Sequence, residues 1–146
     1  MPTRTIKSLE RAFGLYADLA EALPSDAFTR HLADLPSNTV GQQLWCVIGA
    51  RESYGHAIED GEWQGFACSL SDEGTADQTA VSQHLRASAD SVRALLADAE
   101  SLSDQQNAFV LDLIEHEAQH QGQLIRYLYG LELAIPASWK RRWALD

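Results

Sequence analysis

Basic residues are scarce in this chain. Eleven Lys and Arg stand against 21 Asp and Glu, a formal charge of −10 at pH 7. A surface of that sign repels phosphate backbones, which argues against nucleic acid as a partner. Lys140-Arg141-Arg142 is the one local cluster of basic residues, and it reads as a solvated helix end. Long apolar runs are missing too: no stretch nears the length of a membrane span. The opening Met1-Pro2-Thr3-Arg4-Thr5-Ile6-Lys7 has no apolar core of the secretion-signal kind. The expectation is a cytoplasmic protein with no membrane among its partners. Cysteine is limited to Cys46 and Cys68, and in a reducing compartment these read as free thiols or ligands rather than a disulfide. Strand-like alternation, internal repeats and low-complexity tracts are absent as well, which leaves no sheet to build and no boundary to divide the chain.

What is present is helical periodicity. The 146 residues, 45% hydrophobic and 22% charged, suit a single domain over 1–146 with a real core. A first helix is expected from about Ile6 to Leu23, with Leu9, Phe13, Tyr16 and Leu19 on one face, stopped by Pro24. A second opens after Pro36-Ser37-Asn38, carries Val40, Leu44, Val47, Ile48, Tyr54 and Ile58, and ends before Gly61. Glu62 to Gly74 is an aperiodic connection. A third helix spans about Ala76 to Ala99, with Val81, Leu85, Val92, Leu95 and Leu96 inward. The fourth begins at Ser103-Asp104-Gln105-Gln106, a capping-box pattern, and stops at Gly130. Pro136 starts a short terminal helix through Trp139 and Trp143. Helices of this number and length predict an all-α four-helix bundle.

The fourth helix interrupts its own apolar stripe. Phe109, Leu113, His116, His120, Leu124 and Leu128 follow one another in steps of three or four residues. Both imidazoles therefore stand where leucines would otherwise sit, about 6 Å apart along the axis. From Glu115 to Gln123 the only apolar residue is Ala118, and buried polar groups need partners. A metal ion shared by the two rings is the leading reading; two rim histidines bonded to each other or to water is the other. A third ligand would come from the second helix, where Gln42, Cys46, Gly49 and Ser53 form a row of small or polar residues. Cys46 is the strong donor among them, unless it is simply a small buried apolar residue. His56 lies about 15 Å beyond Cys46 along that axis, too far to share an ion with it. His31 and His84 read as surface or rim residues.

His116-Glu117-Ala118-Gln119-His120 matches the HExxH of zinc proteases, with Glu117 as general base. Gln123 and Arg126 stand where the longer protease motif would continue, and no edge strand is present to hold a peptide. Glu117 to His120 also fits the Glu-x-x-His element of di-iron bundles, but Glu52 and His56 are spaced four apart and the third helix has no glutamate before Glu100.

Three runs carry a resemblance over nearly the whole chain: Leu44-Trp45-Cys46-Val47-Ile48-Gly49-Ala50-Arg51-Glu52-Ser53-Tyr54, His116-Glu117-Ala118-Gln119-His120-Gln121-Gly122-Gln123-Leu124, and Pro136-Ala137-Ser138-Trp139. In order and spacing the chain resembles the DinB/YfiT-like family. The resemblance implies a four-helix bundle, commonly a homodimer, with a divalent metal held by three histidines. It also implies, for some members, thiol S-transfer with bacillithiol or related thiols; a fused relative is the mycothiol-dependent maleylpyruvate isomerase. By position His116 and His120 match the two ligands of the fourth helix, and the second-helix histidine falls on Cys46. A Cys-His-His set favours zinc or nickel, and its thiolate would make the ion a weaker Lewis acid than three imidazoles would.

Three protein ligands would leave an open position for a small-molecule substrate. A low-molecular-weight thiol entering it would lose its proton and attack an electrophile. Gln42, Gln119 and Gln123 are then expected as contacts to the metal's ligands or to substrate, Gln42 and Gln123 also to the cofactor, and Glu117 as acceptor of a proton or of a histidine N–H. Trp45 and Trp63 would wall the pocket. The competing expectation is a non-catalytic metal- or ligand-binding bundle of a stress response, acting through dimerisation.

Overall fold

The computed structural model describes residues 3–97 and 99–146, and every regular element among them is helical. The order is α1 (Thr3–Ala22), a 3₁₀ turn (Ser25–Thr29), α2 (Val40–Asp60), a second 3₁₀ turn (Glu73–Ala76), α3 (Gln78–Ala97), α4 (Asp104–Gly130) and the short α5 (Ala137–Trp143). Among the described residues no helix is long and apolar enough to cross a membrane.

The helix ends follow from local chemistry. α1 stops ahead of Pro24, whose ring disfavours a helical residue before it. α4 opens on the expected capping box, Ser103 and Gln106 satisfying each other's backbone N–H. α2 opens on a second box: Thr39 Oγ1 accepts from the Gln42 N–H, and Gln42 Oε1 accepts from the Thr39 N–H at 2.9 Å. α3 begins at Gln78 rather than Ala76, because Asp77 accepts the N–H groups of Thr79 and Ala80 and the preceding residues are wound into the 3₁₀ turn. At its far end the expected third helix included Asp98, which lies outside the described residues, and Ala99, which is not helical.

Each of α1 and α2 packs against both α3 and α4. Cross-links give the directions. Glu10 meets Arg93, and Gln78 meets the carbonyls of Ala20 and Leu23, so α1 and α3 run antiparallel. Gln43 meets His120 and the carbonyl of Ile58 meets Gln106, so α2 and α4 are antiparallel too. α2 and α3, consecutive in the chain, run parallel: Gly41 lies against Thr75 just ahead of α3, and Arg51 reaches Leu85.

Two consecutive parallel helices need a connection that travels back the length of the first, about 30 Å for the 21 residues of α2. Residues 61–77 supply it as a strap laid along α2. Trp63 packs on Tyr54 with ring centroids 5.0 Å apart. Ser53 Oγ bonds both the N–H and the carbonyl of Ala67. Glu52 accepts from Ser69, Phe66 packs on Trp45 at 5.2 Å, and Trp45 Nε1 donates to the Leu70 carbonyl. The small residues of α2 are where the strap comes closest. A Cβ on Gly49 would land on the Phe66 ring, and one on Gly41 on the Thr75 carbonyl. The room expected for a pocket beside Gly49 and Ser53 is filled by the chain's own connection.

The core has two parts. One gathers Tyr16, Leu19, Phe28, Leu44, Leu124 and Trp139; the other Leu9, Phe13, Ile58, Val92, Phe109 and Leu113. Arg51 ties them together, its guanidinium lying 4.6 Å from the centre of the Phe13 ring and 5.3 Å from that of Tyr16.

Candidate functional site

The imidazoles of His116 and His120 meet at the seam between α2 and α4. Their Nε2 atoms are 3.2 Å apart and their ring centroids 4.5 Å. His120 is buried and His116 half-buried. Behind His120 stands a run of polar groups joining the two helices. His120 Nδ1 lies 2.6 Å from Gln43 Oε1. Gln43 Nε2 donates to Asn38 Oδ1 at 2.7 Å. Tyr127 hydroxyl donates to Asn38, 2.7 Å from its carbonyl and 2.8 Å from Oδ1.

Burial lowers the pKa of both rings. His120 falls to about 4, through desolvation first and the neighbouring His116 second. His116 falls through desolvation, opposed in part by the charge of Glu117. At neutral pH both rings are therefore uncharged, the form that binds a metal. With Gln43 Oε1 accepting, the His120 proton sits on Nδ1 and the Nε2 lone pair faces His116. The pair cannot then satisfy itself. If His116 Nε2–H donates to His120, its buried Nδ1 is an acceptor without a partner; if Nδ1 holds the proton, two lone pairs confront each other. A cation between the two Nε2 atoms would remove that confrontation while leaving the Nδ1 proton of His116 without a partner. Zn–N bonds of 2.0–2.1 Å in tetrahedral geometry place two nitrogens about 3.3 Å apart, close to the spacing here. The spacing of the two ring nitrogens is that of a pair sharing an ion.

Among the described residues, none of the other expected site residues makes a hydrogen bond to either ring. Cys46 lines a cavity of about 370 Å³ with Asn38, Gln42, Trp45, Leu70 and Asp72. Its thiol is raised in pKa by burial and makes no hydrogen bond to either ring. Among the described residues no three His, Cys, Asp or Glu side chains form a metal-holding group. Gln42 is occupied as the cap of α2, and Gln119 and Gln123 are exposed on α4. Glu117 is 1% exposed, with both oxygens on Arg51: Nε to Oε1 at 2.6 Å and Nη2 to Oε2 at 3.0 Å. Arg51 spends Nη1 on the Leu85 carbonyl, and Tyr16 hydroxyl donates to the Glu117 carbonyl. Glu117 thus faces the interior and joins α1, α2, α3 and α4 at one point. Trp63 lies on Tyr54, on the strap and away from Trp45.

Sequence reasoning missed Gln43, Asn38 and Tyr127. Gln43 carried the same signal that singled out the histidines: it is a polar residue on an apolar stripe, here Val40, Gln43, Val47, Ala50. Compared with known proteins, the chain matches no family model and no curated protein.

Proposed function

We propose that this all-helical chain is a DinB-like four-helix bundle in which His116 and His120 hold a divalent cation, zinc or nickel, for transfer of a small thiol to an electrophile. The observation that carries the reading is the His120 Nδ1–Gln43 Oε1 bond, which leaves the Nε2 atoms of two neutral rings facing each other at 3.2 Å. A cation there would supply the Lewis acidity that favours the thiolate form of an incoming thiol. The chain's own residues do the rest. His116 and His120 hold through Nε2, and Gln43 orients His120. The Arg51–Glu117 pair fixes the relation of α2 to α4, on which the spacing of the rings depends. Because both its oxygens are taken, Glu117 serves as an anchor rather than as the base. With two protein ligands, the remaining positions on such an ion would be open to water, thiol or electrophile. The exposed Trp63, Phe66 and Leu111 offer apolar surface to a second copy in a cytoplasmic homodimer.

Metal content of protein purified without an affinity tag or added metal tests this directly. Near one equivalent is expected, lost in both His116→Ala and His120→Ala. Turnover of a chloronitrobenzene with one of a panel of small thiols is the second requirement. A non-catalytic metal-binding bundle is the competing reading. It is favoured by the engagement of both Glu117 oxygens with Arg51, and bound metal without turnover across the panel would establish it.

A further inference from the structure

We infer that Gln43, held by Asn38 and Tyr127, is a positioning residue that sets the tautomer of His120 and so keeps the Nε2 lone pair available to an ion. The inference rests on the reading of the His116–His120 pair as a metal site, and it concerns residues that reading does not need as ligands. A polar seam that merely tied α2 to α4 would be indifferent to which ring nitrogen carried the proton. This one has a direction. Tyr127 hydroxyl shares its one proton between the Asn38 carbonyl at 2.7 Å and Oδ1 at 2.8 Å, and Oδ1 accepts also from Gln43 Nε2. Having committed its nitrogen to Asn38, the Gln43 amide can present only its oxygen to His120, and an oxygen there demands a proton on Nδ1. Neutral imidazole has one such proton, so Nε2 is left bare. Partners of this kind commonly fix the orientation of metal-bound histidines and raise their affinity.

The relay is also held from both helices. Asn38 precedes the Thr39 cap of α2, and Tyr127 stands two turns beyond His120 on α4. Gln43 and His120 are each 7% exposed, so water has little access to replace either partner. In Gln43→Met the side chain keeps its length and loses its acceptor. In Gln43→Glu the acceptor toward Nδ1 remains.

Long-range proton–nitrogen NMR correlation of nitrogen-15 histidine, on the full chain with chelator at pH 8, reads the tautomer without any metal. The wild-type ring of His120 is expected in the Nδ1–H form, Gln43→Glu likewise, and Gln43→Met with a large share of Nε2–H. Zinc affinity, read by competition with a chelating dye, is expected to fall 10- to 100-fold in Gln43→Met and less than about threefold in Gln43→Glu. A wild-type His120 protonated on Nε2, with both amides of the relay turned over, overturns the inference whether or not any variant folds. So does a Gln43→Met ring that stays in the Nδ1–H form. Tautomers as expected with no zinc bound would sustain the relay and sink the metal reading alone.

Discussion

Residues 116 and 117 are neighbours in the chain and opposites in the molecule. Glu117 turns inward to Arg51, where both carboxylate oxygens and three guanidinium nitrogens have partners at 2.6–3.0 Å. His116 turns to the α2–α4 seam, where its Nδ1 is buried with nothing to bond. One polar cluster is closed and the other is left open by one group. A buried charge pair survives only when its hydrogen bonds are complete, and completeness leaves no capacity for a ligand. The incomplete cluster keeps an unused bonding group, the Nδ1 of His116. A five-residue motif read as one unit hides this, because a single step along a helix turns the side chain by 100°.

The largest expected effect breaks the closed cluster. Removing either partner alone, by Arg51→Met or Glu117→Leu, leaves an uncompensated buried charge and should cost about 3–5 kcal/mol in urea unfolding. The double variant should recover much of that loss, since a well-packed apolar pair replaces the ions. His116→Ala, on the open side, is expected to cost less than about 1 kcal/mol. Equal losses at positions 116 and 117 would erase the distinction between the clusters.

The closed side has a second boundary, the strap. Gly41→Ala pushes a methyl group onto the Thr75 carbonyl, with the Phe28 carbonyl also close. Backbone atoms there have little freedom to retreat, so a loss of about 2–3 kcal/mol is expected. Gly49→Ala meets instead side-chain atoms, the tip of the 46% exposed Phe66 ring and the Cβ of Cys68, rather than backbone. Its loss should be smaller by at least 1 kcal/mol, and a reversed order would mean the strap is anchored at Phe66 rather than at Thr75.

Acid should act on the open cluster. In the unfolded chain both rings titrate near 6.5, whereas His120 in the folded chain titrates at about 4 and His116 below its usual value, each chiefly through burial. Between those limits the unfolded chain binds more protons, so stability is full above about pH 6.5 and falls as pH drops toward 4. With an allowance for solvent screening, the loss from pH 7 to 4.5 should be about 2 kcal/mol. Urea midpoints in chelator would show it, and His120→Gln should flatten the profile.

Apolar periodicity carried much of the fold, because each long helix has one face that must be buried. The Ser103 box was readable from its four residues. The Thr39 box has the same pattern in Thr39-Val40-Gly41-Gln42, but Gln42 reads in sequence as a site residue instead of as a cap. The strap was illegible for a different reason. Its contacts with α2 are side chain to backbone and ring to ring, with no period of their own, and glycine on a helix signals close approach without saying what approaches. The histidines announced themselves as polar groups on an apolar stripe. Gln43, Arg51 and Glu117 stood on such stripes too, and only the direction each side chain takes separates anchor from relay.

Cys46 is where the smallest effect is expected and where the comparison is most exposed. Its thiol opens into the cavity with Trp45, Leu70 and Asn38 and contacts neither ring by hydrogen bond. Cys46→Ser should therefore change stability by less than about 1 kcal/mol and leave metal stoichiometry as it was. Burial raises both thiols, Cys68 to about 11 by desolvation first, with the Leu70 backbone lowering it and Glu52 and Cys46 raising it. At pH 8 each should react slowly with a disulfide reagent, Cys68 roughly 100-fold slower than an unperturbed thiol. Loss of metal in Cys46→Ser, or protection of Cys46 from that reagent by zinc, would join the thiol to the imidazoles and make the open cluster a three-ligand site.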